Sequence, residues 1–164
     1  MARTNGSNDL LIAWLRDAYA MEKSLIPVLE NHAKDAAGHP EVRARLEQHV
    51  METRNHVTLV KQCLRQLGEE PSTLKNTVAK VMGAVQSVAT GAFHDDVVKN
   101  ALQDFGTESF EIACYKALIE GARALQLNEI AGICERILAE EQAMARFLEQ
   151  NLSTTVHETL GVAV

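Results

Sequence analysis

From Asn8 to about Ala37, apolar residues recur at Leu11, Leu15, Ala18, Leu25 and Leu29. That three-and-four spacing turns one face of an α-helix toward a core. Gly38 and Pro40 interrupt the pattern: a glycine where one helix stops and a proline in the first turn of the next make "GHP" a tight connection. A second helix is predicted over 40–67, with Val42, Leu46, Val60 and Cys63 inward. It ends at "GEEPS", where Ser72 is placed to cap a shorter, weakly patterned helix over 73–90 closed by Gly91. The third helix, 95–127, starts at Asp95 or Asp96 and carries the stripe Val97, Ala101, Tyr115, Leu118, Ala122 and Leu125. The fourth, 128–152, is capped by Asn128 and buries Ile130, Cys134, Ile137, Met144, Leu148 and Leu152. The tail from Ser153 is short and partly apolar, open to docking on the other helices or to hanging loose.

Short turns thus join the first helix to the second and the third to the fourth, while about twenty-five residues join the second to the third. Two long hairpins linked by one crossover suit an all-α, ferritin-like four-helix bundle, a single domain over 1–164 with a short extra helix in the crossover.

Four glutamates, Glu22, Glu52, Glu111 and Glu141, sit in gaps of these stripes, one on each main helix. Glu22 to Glu52 is thirty positions and Glu111 to Glu141 is thirty again, with midpoints 37 and 126 beside the two short turns. Residues equidistant from the turn of an antiparallel hairpin lie at equal height, so both pairs should meet roughly 22 Å from their turns at 1.5 Å per residue. Glu108, one turn before Glu111, adds a fifth carboxylate to the layer, and "EQHVMETRNH" puts His49 and His56 on the same side of the second helix as Glu52.

Each such ion costs several kcal/mol to bury unpaired, and five that repel one another cannot all stay charged. Two divalent cations supply +4 against −5, with neutral imidazoles adding ligands without charge. A lone glutamate on a helical stripe is ordinarily a marginal residue reaching for solvent, and a lone histidine a hydrogen-bonded core residue. The matched spacing of several is what points to metal. Tyr19 and Tyr115 flank the layer and are read as packing residues with satisfied hydroxyls, Met144 and Cys134 as core fillers, and His32, His39, His94 and His157 as solvent or turn residues.

Composition narrows the partners. A net charge of −6 with no lysine and arginine cluster leaves nothing to neutralise phosphates, so a nucleic-acid partner is not expected. The apolar run "LLIAWL" stops at Arg16 and Asp17, and the polar start lacks the order of a secretory leader, so neither a membrane span nor export is expected and the cytoplasm is the expected location. Cys63, Cys114 and Cys134 are an odd set without close pairing, read as buried thiols.

With "LRDAYAMEKSL" around Glu22, "LEQHVMET" around His49 and Glu52, "ESFEIACYKAL" around Glu108 and Glu111, and "ILAEEQA" around Glu141, the chain resembles the YciE/YciF-type family of bacterial ferritin-like proteins from about Leu11 to Leu152. The resemblance implies a compact bundle, commonly a homodimer, linked to stress responses and holding a two-metal carboxylate centre. It departs where the family often reads "EHYE" and this chain has Ser109, and where "EEKATD" is replaced by "EEQAMA", with Gln142 and Ala145. His56 stands where a glutamine is common and is the matching extra donor. By analogy with such bundles, Glu52 and Glu141 are expected to bridge, Glu22 and Glu111 to be terminal ligands, Glu108 an additional one, and His49 or His56 the nitrogen donor. Oxygen-rich coordination with imidazole suits iron or manganese, with zinc the alternative. Such a pair binds dioxygen or peroxide, so the expected activity is ferrous iron oxidation or peroxide removal. The competing reading is a non-catalytic bundle that sequesters metal or serves protein assembly.

Overall fold

The computed structural model describes residues 2–69 and 96–162, with side chains from Gly6 onward. Four long helices make up these residues: α1 (Ala2–Asp35), α2 (Pro40–Gln66), α3 (Asp96–Ala124) and α4 (Asn128–Leu160). The helix expected over 73–90, its cap Ser72, His94 and Asp95 lie outside the described residues.

The midpoints of the glutamate pairs fall in the turns themselves. A short 3-10 turn, Ala36–Gly38, joins α1 to α2, with His39 as the cap residue and Pro40 at the first helical position. Gln126, between α3 and α4, takes the left-handed conformation at φ 60° that reverses the chain. The α4 cap is Leu127 rather than Asn128, which lies inside the first turn with no side-chain cap. At the far end of α2, Gly68 closes the helix at φ 80°, a conformation that disfavours any Cβ. Gly68→Ala is therefore expected to lower stability by about 1 kcal/mol, read as a small drop in the thermal midpoint with unchanged helical signal.

Each helix packs antiparallel on two neighbours: α1 on α2 and α3, α4 on α3 and α2. The end of α2 lies beside the first half of α1 through the Arg16–Glu69 ion pair, whereas the start of α3 lies beside the end of α1, where Asn100 Nδ2 donates to Asp35 Oδ2 at 3.0 Å. The chain between α2 and α3 therefore joins opposite ends of the bundle, about 28 Å apart along α1. That is the single-crossover, ferritin-like topology.

On one side of mid-bundle the core is aliphatic: Leu11, Leu15, Val60, Leu64, Leu118, Ile130 and Ile137 are all buried. Burying a side chain of this size contributes about 1.5–3 kcal/mol, so this half anchors the fold. The other half differs along α3, where Asn100, Asp104, Thr107, Glu108 and Glu111 occupy the buried face up to Tyr115, with Ala101 the one apolar residue among them. The regular apolar stripe expected for the third helix is thus only half apolar. His32, expected in solvent, is buried in this half, its Nδ1 2.7 Å from Asp104 Oδ1. Its partner lies 72 positions away on another helix, beyond any local pattern.

The fourth helix also runs past its expected end at 152 to Leu160. No glycine or proline lies between 152 and Gly161, whose φ of 66° forms the stop. Buried Thr155 and the contact of His39 Nδ1 with Glu158 Oε2 at 2.6 Å hold that last stretch on the bundle. Among the described residues no helix is long and apolar enough to cross a membrane.

Candidate metal centre

All four helices send charged side chains to one level. Glu22 from α1, His49 and His56 from α2, Glu108 and Glu111 from α3, and Glu141 from α4 are each at most 2% exposed. Packing forces this: each lies on the strip of its helix that carries the core residues on either side, such as Ala18 and Leu25 around Glu22.

Two sets of three donors form there, and both contain Glu141. In one, His56 Nδ1 lies 2.9 Å from Glu141 Oε1 and 3.4 Å from Glu22 Oε2. In the other, His49 Nε2 lies 3.0 Å from Glu108 Oε1 and 3.5 Å from Glu141 Oε2. The Glu141 carboxylate thus divides its two oxygens between the two histidines. These approaches are close but poorly aligned. Glu22 Oε2, His56 Nδ1, Glu108 Oε2, Glu111 Oε1 and both oxygens of Glu141 have no directed hydrogen bond. Buried polar atoms are seldom left so, and a cluster of five carboxylate oxygens and an imidazole nitrogen without directed partners has the composition of a divalent metal site. The residues fit such a site.

The outer nitrogen of each histidine is held separately. His49 Nδ1 lies 2.9 Å from Glu52 Oε2, and Glu52 in turn accepts from Arg45 Nη1 at 3.0 Å and Gln48 Nε2 at 2.7 Å. His56 Nε2 lies 2.6 Å from Glu140 Oε2. Each ring thereby presents one nitrogen inward and gives the other to a carboxylate, the arrangement that orients metal-binding histidines. The Tyr115 hydroxyl donates to Glu22 Oε1 and fixes that carboxylate.

The expected site residues therefore fall into three groups. Glu22, His49, His56, Glu108 and Glu141 make up the two donor sets, both histidines taking part. Glu111 is fully buried beside them with one oxygen unpartnered. Glu52 stands apart, partly exposed and engaged by Arg45, Gln48 and His49. Glu140 was missed by sequence reasoning, as were the roles of Arg45 and Gln48. The adjacent "EE" of "ILAEEQA" was the available signal for Glu140; Arg45 and Gln48 stand seven and four residues before Glu52, at helical spacing. Tyr115, read as packing, also positions a carboxylate. Cys63 and Cys134 are fully buried as expected, while Cys114 is only partly so.

The electrostatics follow from crowding. Burial, then the neighbouring charges of Glu141, Glu22 and Glu108, push Glu111 well above the carboxylate range. Burial also raises Glu22, and carries Glu108 up to about 8. Burial pulls the two imidazoles down, but their carboxylate partners outweigh it: His49 is raised to about 10 and His56 to about 11. Burial would raise Glu52 and Glu141 too, but each falls below the ordinary value, Glu52 to about 2 through His49 and Arg45, Glu141 through His56 and His49. Without metal, then, two imidazolium ions stand in as the cations of the layer, and some carboxyls keep their protons.

The family model described as "Domain of unknown function (DUF892)" matches residues 7–161. A crystal structure of a protein from Xanthomonas campestris pv. campestris superposes with a TM-score of 0.80 at 33% sequence identity, covering 95% of this chain and 97% of that one. The bacterioferritin-related protein of Bacteroides fragilis, a dodecameric thioferritin, gives a TM-score of 0.75 at 19% identity over 96% of this chain and 94% of that one. The E. coli stress protein YciF gives 0.69 at 20% identity over 92% and 97%. The last two likenesses carry the ferritin-like fold.

Proposed function

The chain belongs to the DUF892 family, the group of YciE/YciF-type ferritin-like proteins, and on that premise we propose that it is a stress-associated protein whose core layer holds two divalent ions, of iron or manganese, and oxidises ferrous iron or removes peroxide. The observation that carries the reading is the Glu141 carboxylate, which turns one oxygen to each histidine. Glu22, His56 and Glu141 would hold one ion, His49, Glu108 and Glu141 the other, with Glu111 as a further donor. The charge closes: four glutamates carry −4 against +4 from two divalent ions, and Glu52, matched by Arg45, needs none of it.

When bound, such a metal pair supplies Lewis acidity and one-electron chemistry toward dioxygen or peroxide. The chain's own part is positional. Glu52 and Glu140 keep a proton on the outer nitrogens of His49 and His56, which leaves the inner nitrogens free to donate a lone pair. Glu140, at 42% side-chain exposure, also gives the His56 proton a route to water. Fully buried Val60, Ile137, Met144 and Tyr115 exclude bulk water from the layer. The homodimer implied by the family resemblance belongs to the same proposal.

The test is to add ferrous iron to metal-free protein and measure retained metal, ferrous iron loss and peroxide consumption. Two retained ions per chain with turnover of either substrate supports the reading. Retained metal without turnover leaves sequestration, and absence of retained metal sinks the metal centre altogether. Glu52→Gln and Glu140→Gln should each keep two sites yet weaken binding about 10–100-fold, visible by calorimetric titration.

A further inference from the structure

Between α1 and α3, on the outside of the bundle, lies an apolar groove of about 280 Å³ whose wall includes Trp14, Met21, Phe110, Cys114 and Leu118. Trp14 and Phe110 are each 46% exposed, an unusual state for two rings of this size lining one groove. The indole is seated firmly: a Cβ added at Gly121 would lie 3.3 Å from Trp14 Cζ3, so the ring rests on bare backbone of α3. The groove is therefore a formed surface, near the lower end of the roughly 300–1,000 Å³ of small-molecule sites.

One charge lines it, that of Asp17. Its neighbour Arg16 is committed to Glu69, and Asp17 makes no hydrogen bond or ion pair among the described residues. Burial raises its pKa, as expected of a carboxylate that loses water with no cation beside it among the described residues. The Cys114 thiol is pushed up by burial and by Asp17, so it stays neutral. Two aromatic rings and a methionine around a carboxylate unpaired among the described residues are the elements that enclose an alkylated ammonium group: ring faces attract a cation, apolar walls bury its substituents, and the carboxylate opposes its charge.

We propose that this groove binds a small organic cation of the alkyl- or aryl-ammonium class, with Asp17 as the charge-recognising residue and Trp14 and Phe110 as the walls. The site is separate from the metal layer and does not rest on metal being bound there.

Trp14 is the only tryptophan of the chain, so its emission reports on the groove directly. Benzyltrimethylammonium titrated into the full chain should change that emission saturably. Asp17→Asn should weaken the binding about ten-fold or more while leaving the helical circular dichroism intact. Benzenesulfonate, which has the same ring and the opposite charge, should not bind. Equal affinity in Asp17→Asn, equal binding of the sulfonate, or no saturable response would overturn the proposal. So would an emission change that follows protein concentration with dimer formation in sedimentation, which would make the face a contact between copies.

Discussion

Glu141→Ala should remove both metal ions, whereas loss of any other donor should remove or weaken one. The reason is geometric: Glu141 alone belongs to both sets, with Oε1 toward His56 and Oε2 toward His49. Losing an outer partner of a metal ligand costs about 10–100-fold in affinity, so losing this shared ligand should exceed about 100-fold for both ions. Glu22→Ala and Glu108→Ala should each leave one ion bound. Metal analysis after desalting, for all three variants, decides it. If Glu141→Ala retains both ions, or if Glu22→Ala and Glu108→Ala each abolish both, the shared-carboxylate arrangement is wrong. Removing a buried counter-charge also threatens folding, because His49 and His56 would keep their protons beside fewer anions. Glu141→Gln, nearly identical in shape, serves as the control, and its thermal midpoint without metal separates loss of the site from loss of the fold.

The metal-free protein should be markedly less stable at pH 9 than at pH 6, and added metal should stabilise it more at the higher pH. His49 and His56 are raised from 6.5 to about 10 and about 11, and Glu108 from 4.5 to about 8, with Glu22 and Glu111 raised in the same sense. A raised group contributes stability that is complete below its unfolded value and is lost as pH climbs through the folded one. These contributions therefore fade between about pH 5 and pH 11. Glu52 and Glu141 are lowered and act oppositely, but their contributions are complete above their unfolded value of 4.5 and are lost only as pH falls below it. Across pH 6 to 9 Cys63, held below its ordinary value of 9.0 by Cys134, acts in the opposite sense, but one thiol does not offset five raised groups, and the thermal midpoint should fall by on the order of 10 °C. Metal competes with the same protons, so its binding tightens and its stabilisation grows with pH. Thermal unfolding at both pH values, with chelator and with ferrous or manganous ion, tests both halves. A metal-free midpoint that stays level or rises from pH 6 to 9 would contradict the assignment of these protons.

Much of the architecture was legible in periodicity. The spacing of Leu11, Leu15, Ala18, Leu25 and Leu29 identified the buried face of α1, and glycine and proline marked its end. The thirty-residue intervals located both turns and brought Glu22, Glu111 and Glu141 to one depth, because helix rise is constant and antiparallel partners share it. The fourth helix outran its expected end because the chain past Ser153 continues without a breaker, and its burial depends on His39 and on contacts made by Thr155.

What the amino-acid order determined by itself was which face of each helix turns inward and at what height each carboxylate sits, since both follow from 3.6 residues per turn and a fixed rise. Only tertiary packing decided which groups meet at that height. Glu52 and Glu141 are equivalent by spacing, yet one lies at the margin on Arg45 and Gln48 while the other lies between two imidazoles. Asp104 likewise gained His32, and His56 gained Glu140, from helices remote in sequence. A side chain several bonds long can reach either the margin or the centre of a buried strip, and the choice rests on the charges the neighbouring helices bring, which no single helix encodes.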